Sequence, residues 1–239
     1  MTESRQTILI TGASSGIGEA CVKTCLDSGY IVIGVARDFT KSDIQHEKYY
    51  KFNCDLNNTQ QLENSIKTII KEHNPQHFLH SAGFGRFGSL EQFSTKQIIE
   101  LIQVNLISAI LISRLLLPSF RKTDNSKMIF IGSESAKIAG KKGAVYCASK
   151  FGLRGFTESL REDCAANKIG VNLINPGMVR SPFFKSFDFQ PGHAQQHAIA
   201  VEEVARVVNF LLNTDPNFVI DEINLSPAIK NIDFSKKAE

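Results

Sequence analysis

Short runs of β-branched and aliphatic residues alternate with longer amphipathic stretches along the chain, and this rhythm constrains the fold more than any other feature. Strand candidates fall at 7–11 (TILIT), 31–36 (IVIGVA), 49–53, 77–81 (HFLHS), 128–132 (MIFIG), 170–174 and 218–223. Helical patterns lie between them at about 16–28, 59–72, 95–117, 145–167 and 201–213. Several of the strand runs are apolar almost throughout, as expected where helices cover both faces of a sheet. The β-α-β-α order therefore predicts an α/β fold with a doubly wound parallel sheet. No repeat, low-complexity stretch or Pro/Gly/Ser-rich linker divides residues 1–239, so a single domain is expected.

Composition narrows the classes of function. The 239 residues are 42% AVILMFWYC, enough for a large core. Lys and Arg (27) against Asp and Glu (24) leave only +3, dispersed along the chain, which argues against a nucleic-acid partner. Five cysteines, an odd number with no CxxC pair, suggest neither a disulfide framework nor a zinc ribbon. No leader pattern opens the sequence, and the apolar run 101–113 contains Gln103 and Asn105 and is shorter than the ~18 residues of a membrane span. A cytoplasmic protein that does not engage a membrane is expected.

Thr11-Gly12-Ala13-Ser14-Ser15-Gly16-Ile17-Gly18 occupies the handover from the first strand to the first helix. Glycines there permit a tight turn, close helix–sheet packing and approach of the backbone to a pyrophosphate at the helix N-terminus. The spacing G-x-x-x-G-x-G, beginning TGASSGIG, resembles the single-domain branch of the short-chain dehydrogenase/reductase family, and further motifs follow in that family's order over nearly the whole chain. The resemblance implies a Rossmann-like sheet of about seven strands, ordered 3-2-1-4-5-6-7, with helices on both faces. It also implies that Gly12, Ser14, Ser15, Gly16, Ile17 and Gly18 hold a dinucleotide.

Tyr146 and Lys150 stand at i and i+4 and share one face of the predicted helix. A phenol with an ordinary pKa near ~10 is a poor base at neutral pH, and a cation one turn away favours its ionised form. Such a pair suits proton transfer to or from a carbonyl or hydroxyl oxygen. Ser133 ends the strand MIFIG, where doubly wound sheets place their ligands, and Ser135 is a nearby competitor. In the resembled family a Ser in this position bonds the substrate oxygen, and an Asn in a "VN" pair helps hold a water linking the Lys to solvent. Val104-Asn105 matches that pair, so the resemblance implies a catalytic tetrad of Asn105, Ser133, Tyr146 and Lys150. It further implies hydride transfer from a nicotinamide with Tyr146 as proton donor, Lys150 lowering the Tyr146 pKa, and no metal.

Cofactor choice turns on the end of the second strand. The family selects NAD with an acidic residue there, whereas this chain has Ala36 followed by Arg37, a bidentate partner for a 2′-phosphate. NADP(H) is therefore expected over NAD(H), with Asp38 as the competing ribose ligand if the strand ends later. By resemblance, Asp55 and Leu56 hold the adenine, and Asn175-Pro176-Gly177-Met178-Val179-Arg180-Ser181 frames the nicotinamide through Pro176, Gly177, Val179 and Ser181. Ala82 and Gly83 keep a close backbone approach, but His80-Ser81 stands where the family has Asn-Asn, which questions the bridging of neighbouring strands.

Other features carry less. His193 and His197 lack a third metal ligand, and His73, His77 and His80 straddle Pro75 and a strand. Cys147 reads as core packing, and Lys141-Lys142 as a solvated loop or a lure for an acidic substrate. Four Phe within 183–189 read equally as packing or as part of a substrate lid over about 182–200, with Phe84, Phe87 and Phe151 near the same cavity. The expected protein is an NADP-dependent oxidoreductase interconverting a carbonyl and a secondary alcohol, its small-molecule substrate a 3-hydroxy acid or one of a broad range of carbonyls. Alternatives are a 3-oxoacyl thioester reductase and a non-catalytic NADP-binding sensor. An epimerase or dehydratase of nucleotide sugars is disfavoured, because no further domain is expected before Glu239. Resemblance also implies a homodimer or homotetramer built on the helices near 95–117 and 145–167.

Overall fold

Alternation within each strand assigns its side chains to two cores. In the computed structural model, which describes residues 6–40 and 42–234, strand β1 (Thr7–Thr11) sends Ile8 and Ile10 to one face and Leu9 to the other. The same division holds in β2 (Ile31–Ala36), β4 (His77–His80), β5 (Lys127–Ile131) and β6 (Gly170–Pro176). Leu79, Ile129, Ile131 and Ile174 join Ile8 and Ile10, whereas Phe78, Met128, Phe130 and Leu173 join Leu9. Each fully buried aliphatic or aromatic side chain contributes about 1.5–3 kcal/mol, so both faces must be covered.

Helix α1 (Gly16–Asp27) and helix α6 (Val201–Leu212) cover the first face. Helices α2 (Thr59–His73), α4 (Ser108–Phe120) and α5 (Ala144–Ala165) cover the second. With β3 (Tyr49–Asn53) and β10 (Glu222–Leu225) at its edges, the sheet runs β10-β6-β5-β4-β1-β2-β3, parallel throughout. Counting only these seven strands gives the expected order 3-2-1-4-5-6-7.

Two departures from the sequence reading matter. The last sheet strand is Glu222–Leu225 and not 218–223: Phe218 is exposed, and the ladder with β6 begins only where Leu173 N–H donates to the Asp221 carbonyl. The long helix expected at 95–117 extends to Phe120 and is interrupted. Helix α3 (Thr95–Ile102), opened by a Ser94/Gln97 capping box, passes through a π-helical turn at Gln103–Ile107 into α4. The rod Thr95–Phe120 is long and apolar enough to cross a bilayer by length and composition alone, but Leu101, Ile112, Leu116 and Phe120 are fully buried in the protein.

Beyond β6 the chain forms small pairings around the cleft: β7 (Val179–Arg180) with β9 (Ile199–Ala200), and β8 (Phe189–Pro191) with β11 (Ile232–Phe234). The expectations for the first five residues and for the end of the chain at Glu239 lie outside the described residues.

Candidate active site

The glycine turn forms one wall of a cleft of ≈ 780 Å³ at the carboxyl ends of the strands. Gly12 (φ 69°) and Gly16 (φ 56°) occupy the left-handed region. A Cβ on Gly12 would lie 2.9 Å from the Ala82 backbone, and one on Gly18 only 2.1 Å from the Gly12 carbonyl oxygen. Ser15, at the N-cap of α1, makes no side-chain bond to the first-turn amides, whereas Asn58 caps α2 through Gln61 N–H. The amides at the start of α1 are therefore left without a capping side chain, the condition for receiving an anion.

Arg37 lies on the same cleft wall, directly after the end of β2 at Ala36. The strand ends at Ala36, as its apolar run predicts; Asp38 turns aside, its carboxylate accepting from Thr40 N–H (3.2 Å) and Thr40 Oγ1 (2.7 Å). Gly12, Ser15, Gly16, Ile17, Gly18, Ala82, Gly83, Pro176, Gly177, Val179 and Ser181 also line the cleft. Ser14, Asp55 and Leu56 fall outside its wall; the Asp55 carboxylate accepts from Asn57 N–H, and Leu56 is buried beneath Gln103.

Three side chains converge at the floor. Tyr146 and Lys150 project from one face of α5, and Ser133, after β5, lines the same floor and acts to lower the Tyr146 pKa. Ser133 Oγ accepts from Ser135 N–H (3.1 Å), and of the two serines Ser133 is the one that acts on the Tyr146 phenol. Lys150 Nζ donates to the Ile131 carbonyl (2.9 Å) and sits 6.0 Å from the centre of the Tyr146 ring.

Electrostatics correct one expectation. Burial pushes the Tyr146 phenol up to about 12, only partly opposed by Ser133, and burial brings the Lys150 ammonium down to about 8. The net shift of Tyr146 without cofactor is upward, because loss of water is its largest cause and the Lys150 ammonium bonds a backbone carbonyl. At neutral pH the phenol is protonated and the amine mostly charged.

Asn105 stands behind this floor, fully buried in the π-helical turn. Its Oδ1 accepts from Phe84 N–H (3.0 Å), and its Nδ2 donates to the Phe84 carbonyl (2.9 Å) and to Ser149 Oγ (3.1 Å). Ser149 Oγ donates in turn to the Tyr146 carbonyl (2.7 Å). The turn thus locks the loop after β4 to the first turns of α5.

Sequence reasoning missed a second support. Asn175 Oδ1 accepts from Ser133 N–H (3.2 Å), while Asn175 Nδ2 donates to Glu222 Oε1 (2.8 Å). Glu222 is held by Arg154 (2.9 Å) and Lys137 (3.5 Å). Asn175 lies within the motif quoted for the nicotinamide side, but no spacing links it to Ser133, and nothing in the C-terminal segment Val219-Ile220-Asp221-Glu222-Ile223 marks Glu222 as its partner. Bridging between strands survives without the family's Asn: Thr11 Oγ1 hydrogen-bonds His80 Nδ1 (3.0 Å) and accepts from Ala82 N–H (3.3 Å). Among the described residues no group of three His, Cys, Asp or Glu side chains is disposed as metal ligands.

A seven-stranded parallel sheet with this crossover, a glycine-walled cleft and a Ser-Tyr-Lys floor defines a doubly wound α/β protein of the dehydrogenase type. A short chain dehydrogenase family model matches residues 6–191. The 3-oxoacyl-[acyl-carrier-protein] reductase of Buchnera aphidicola is 30% identical over 231 residues, covering 92% of this chain and 94% of that protein. The alcohol dehydrogenase of the archaeon Thermococcus sibiricus, solved with 5-hydroxy-NADP, superposes with a TM-score of 0.85 at 22% identity over 99% of this chain and 100% of that one. A metagenomic short-chain oxidoreductase solved with NADP superposes at 0.81 with 26% identity, over 94% and 98% of the two chains. This chain belongs to the short-chain dehydrogenase/reductase family of oxidoreductases.

Proposed function

We propose that the chain is an NADP(H)-dependent oxidoreductase interconverting a carbonyl compound and a secondary alcohol, working as one domain over residues 1–239 with a substrate lid at about 182–200. The observation that carries this reading is the convergence of Ser133, Tyr146 and Lys150 at the floor of a cleft whose far wall is the glycine turn. The turn fits a dinucleotide: the first-turn amides of α1 carry no capping side chain, and the tight turn that presents them requires glycine, since a Cβ at Gly12 or Gly18 would collide with the protein's own backbone. Gly12 to Gly18 would hold the pyrophosphate, Arg37 the 2′-phosphate, Asp55 and Leu56 the adenine, and Pro176, Gly177, Val179 and Ser181 the nicotinamide side. NAD(H) is the weaker fit, because Arg37 follows the strand directly and Asp38 is engaged with Thr40.

Bound in this cleft, the nicotinamide would supply the hydride chemistry, giving a hydride to the carbonyl carbon or taking one from the carbinol. Ser133 Oγ bonds the substrate oxygen and stabilises the charge that develops there. Tyr146, protonated at neutral pH, donates its proton to that oxygen in reduction and takes it back in oxidation. Lys150 would hold the cofactor's ribose and return a proton to the tyrosine. Asn105 acts as a positioning residue with its amide engaged by Phe84 and Ser149, so the water the resemblance places beside it is not held by both amide hydrogens.

A 3-oxoacyl thioester is the second reading for the substrate, favoured by the 30% identical relative; a 3-hydroxy acid stays on the substrate panel. Exposed Ile99, Ile107 and Phe151 on α3, the π-helical turn and α5 support a homodimer or homotetramer through those helices. Five free, buried cysteines support a reducing, cytoplasmic setting. NADPH oxidation followed with a panel of carbonyls, beside a Tyr146→Phe control, tests the reading.

A further inference from the structure

The substrate end of the cleft is walled by phenylalanine. Phe87 lies 5.2 Å and Phe183 6.1 Å from the Tyr146 ring, centre to centre. Phe187 and Phe189 stack on one another at 5.3 Å with 12° between planes, and Phe87 meets both edge-on at 5.1 and 5.2 Å. Phe184 completes the group, 5.1 Å from Phe183 and 5.9 Å from Phe189. All five rings line the cleft together with Ser133 and Tyr146.

Gly85 makes this arrangement possible. A Cβ there would lie 2.7 Å from Phe183, 2.8 Å from Phe87 and 3.0 Å from Phe187, all at ring carbons. The far side is anchored as well: Arg180 donates to the Gly192 and Ala194 carbonyls (2.9 and 3.0 Å), and β8 pairs with β11, setting Phe189 opposite Phe234. The rings therefore form a fastened wall and not a loose apolar loop.

In this state the rings touch each other and leave Tyr146 only 7% exposed. A substrate bringing its carbonyl to Ser133 has to part Phe87 and Phe183 from Tyr146. A polar or short aliphatic guest breaks ring contacts and replaces few of them. A guest carrying its own aromatic ring exchanges one edge-to-face contact for another, which conserves the directional part of the attraction. We infer that the site selects carbonyl compounds whose non-reacting part is an aromatic ring, that is aryl aldehydes and aryl ketones, and that Gly85 with Phe87, Phe183 and Phe187 determines this choice. The inference rests on the oxidoreductase reading above and names its substrate class.

The test measures binding apart from turnover. Acetophenone, cyclohexyl methyl ketone and an acetoacetyl thioester are titrated by NMR into the Tyr146→Phe protein, with and without NADPH. Acetophenone is expected to bind about fivefold more tightly than its cyclohexyl analogue, the size of one aromatic pair. That preference is expected to vanish in a second protein also carrying Phe187→Leu, which keeps apolar bulk but loses the ring. Gly85→Ala, which forces the rings apart, is expected to weaken acetophenone more than the cyclohexyl ketone and serves where Phe187→Leu does not fold. Equal or tighter binding of the cyclohexyl ketone, or tightest binding of the thioester, overturns the inference. NADPH-dependent turnover of carbonyls without a ring preference overturns it too and leaves the oxidoreductase reading standing. A ring preference in the Tyr146→Phe protein, with a parent protein that neither binds NADPH nor reduces any carbonyl, supports the aromatic site and removes the oxidoreductase reading.

Discussion

His80 gives the fold a defined acid limit. It is enclosed at the end of β4, bonded to Thr11 Oγ1 at 3.0 Å, and burial together with the Lys150 charge brings its imidazole from 6.5 down to about 3. His77, two residues earlier, is brought to about 4 by burial and by Lys127. Both groups are neutral in the folded protein and become charged in the unfolded chain below 6.5, so the unfolded state binds more protons and stability falls as pH drops from 6.5 toward 4 and 3. Between pH 7 and pH 5 a histidine with this shift costs about 2 kcal/mol, from 1.36 kcal/mol per pKa unit over about 1.5 units. The perturbation is His80→Asn, which retains a polar side chain beside Thr11 but does not titrate. Urea unfolding at fixed protein concentration, run at pH 7 and pH 5 on both proteins, is expected to show the variant losing about 2 kcal/mol less than the parent. Parallel losses in the two proteins would refute the reasoning, because every other titrating group is common to both.

Arg37→Ala is expected to weaken NADPH binding about 10- to 100-fold, the loss of a charge-assisted hydrogen bond, and to change NADH binding little; fluorescence titration with each nucleotide checks it. Asn175→Ala removes the acceptor for Ser133 N–H and the donor to Glu222, so kcat is expected to fall about tenfold with a smaller change in KM, and urea unfolding to show a loss of about 2 kcal/mol. Lys150→Met removes an ammonium whose pKa burial lowers from 10.5 to about 8. Because the folded state disfavours that charge, the variant is expected to be more stable than the parent by up to about 3 kcal/mol at pH 7, the gain shrinking as pH rises from 8 toward 10.5. Stability curves across that window show the sign.

Local pattern made most of the sheet legible. TILIT and IVIGVA are continuous apolar runs because both faces of β1 and β2 are covered, and their limits in the structure are those of the runs. The edge strand was misplaced for the converse reason: Val219 and Ile220 look like a strand, but pairing waits until the backbone comes level with β6. The floor of the cleft was legible because Tyr146 and Lys150 are one helical turn apart and Ser133 follows a strand directly. Long-range partners were not, since Asn175 to Glu222 and Asn105 to Phe84 join segments with no shared periodicity. The sign of the Tyr146 shift was hidden for a related reason: sequence spacing supplies the neighbouring cation, but the burial that raises the phenol comes from packing by distant segments, Phe87 and Phe183 among them.

Single-turnover reduction of a carbonyl panel with NADPH, comparing the parent with Tyr146→Phe at matched NADPH occupancy, tests the central claim most directly. The proton-donor role requires NADPH binding to survive the substitution while reduction falls by a factor of at least about 100, the lower range for a general acid. Equal rates in the two proteins would contradict it and leave Ser133, Tyr146 and Lys150 as packing at the bottom of a nucleotide cleft.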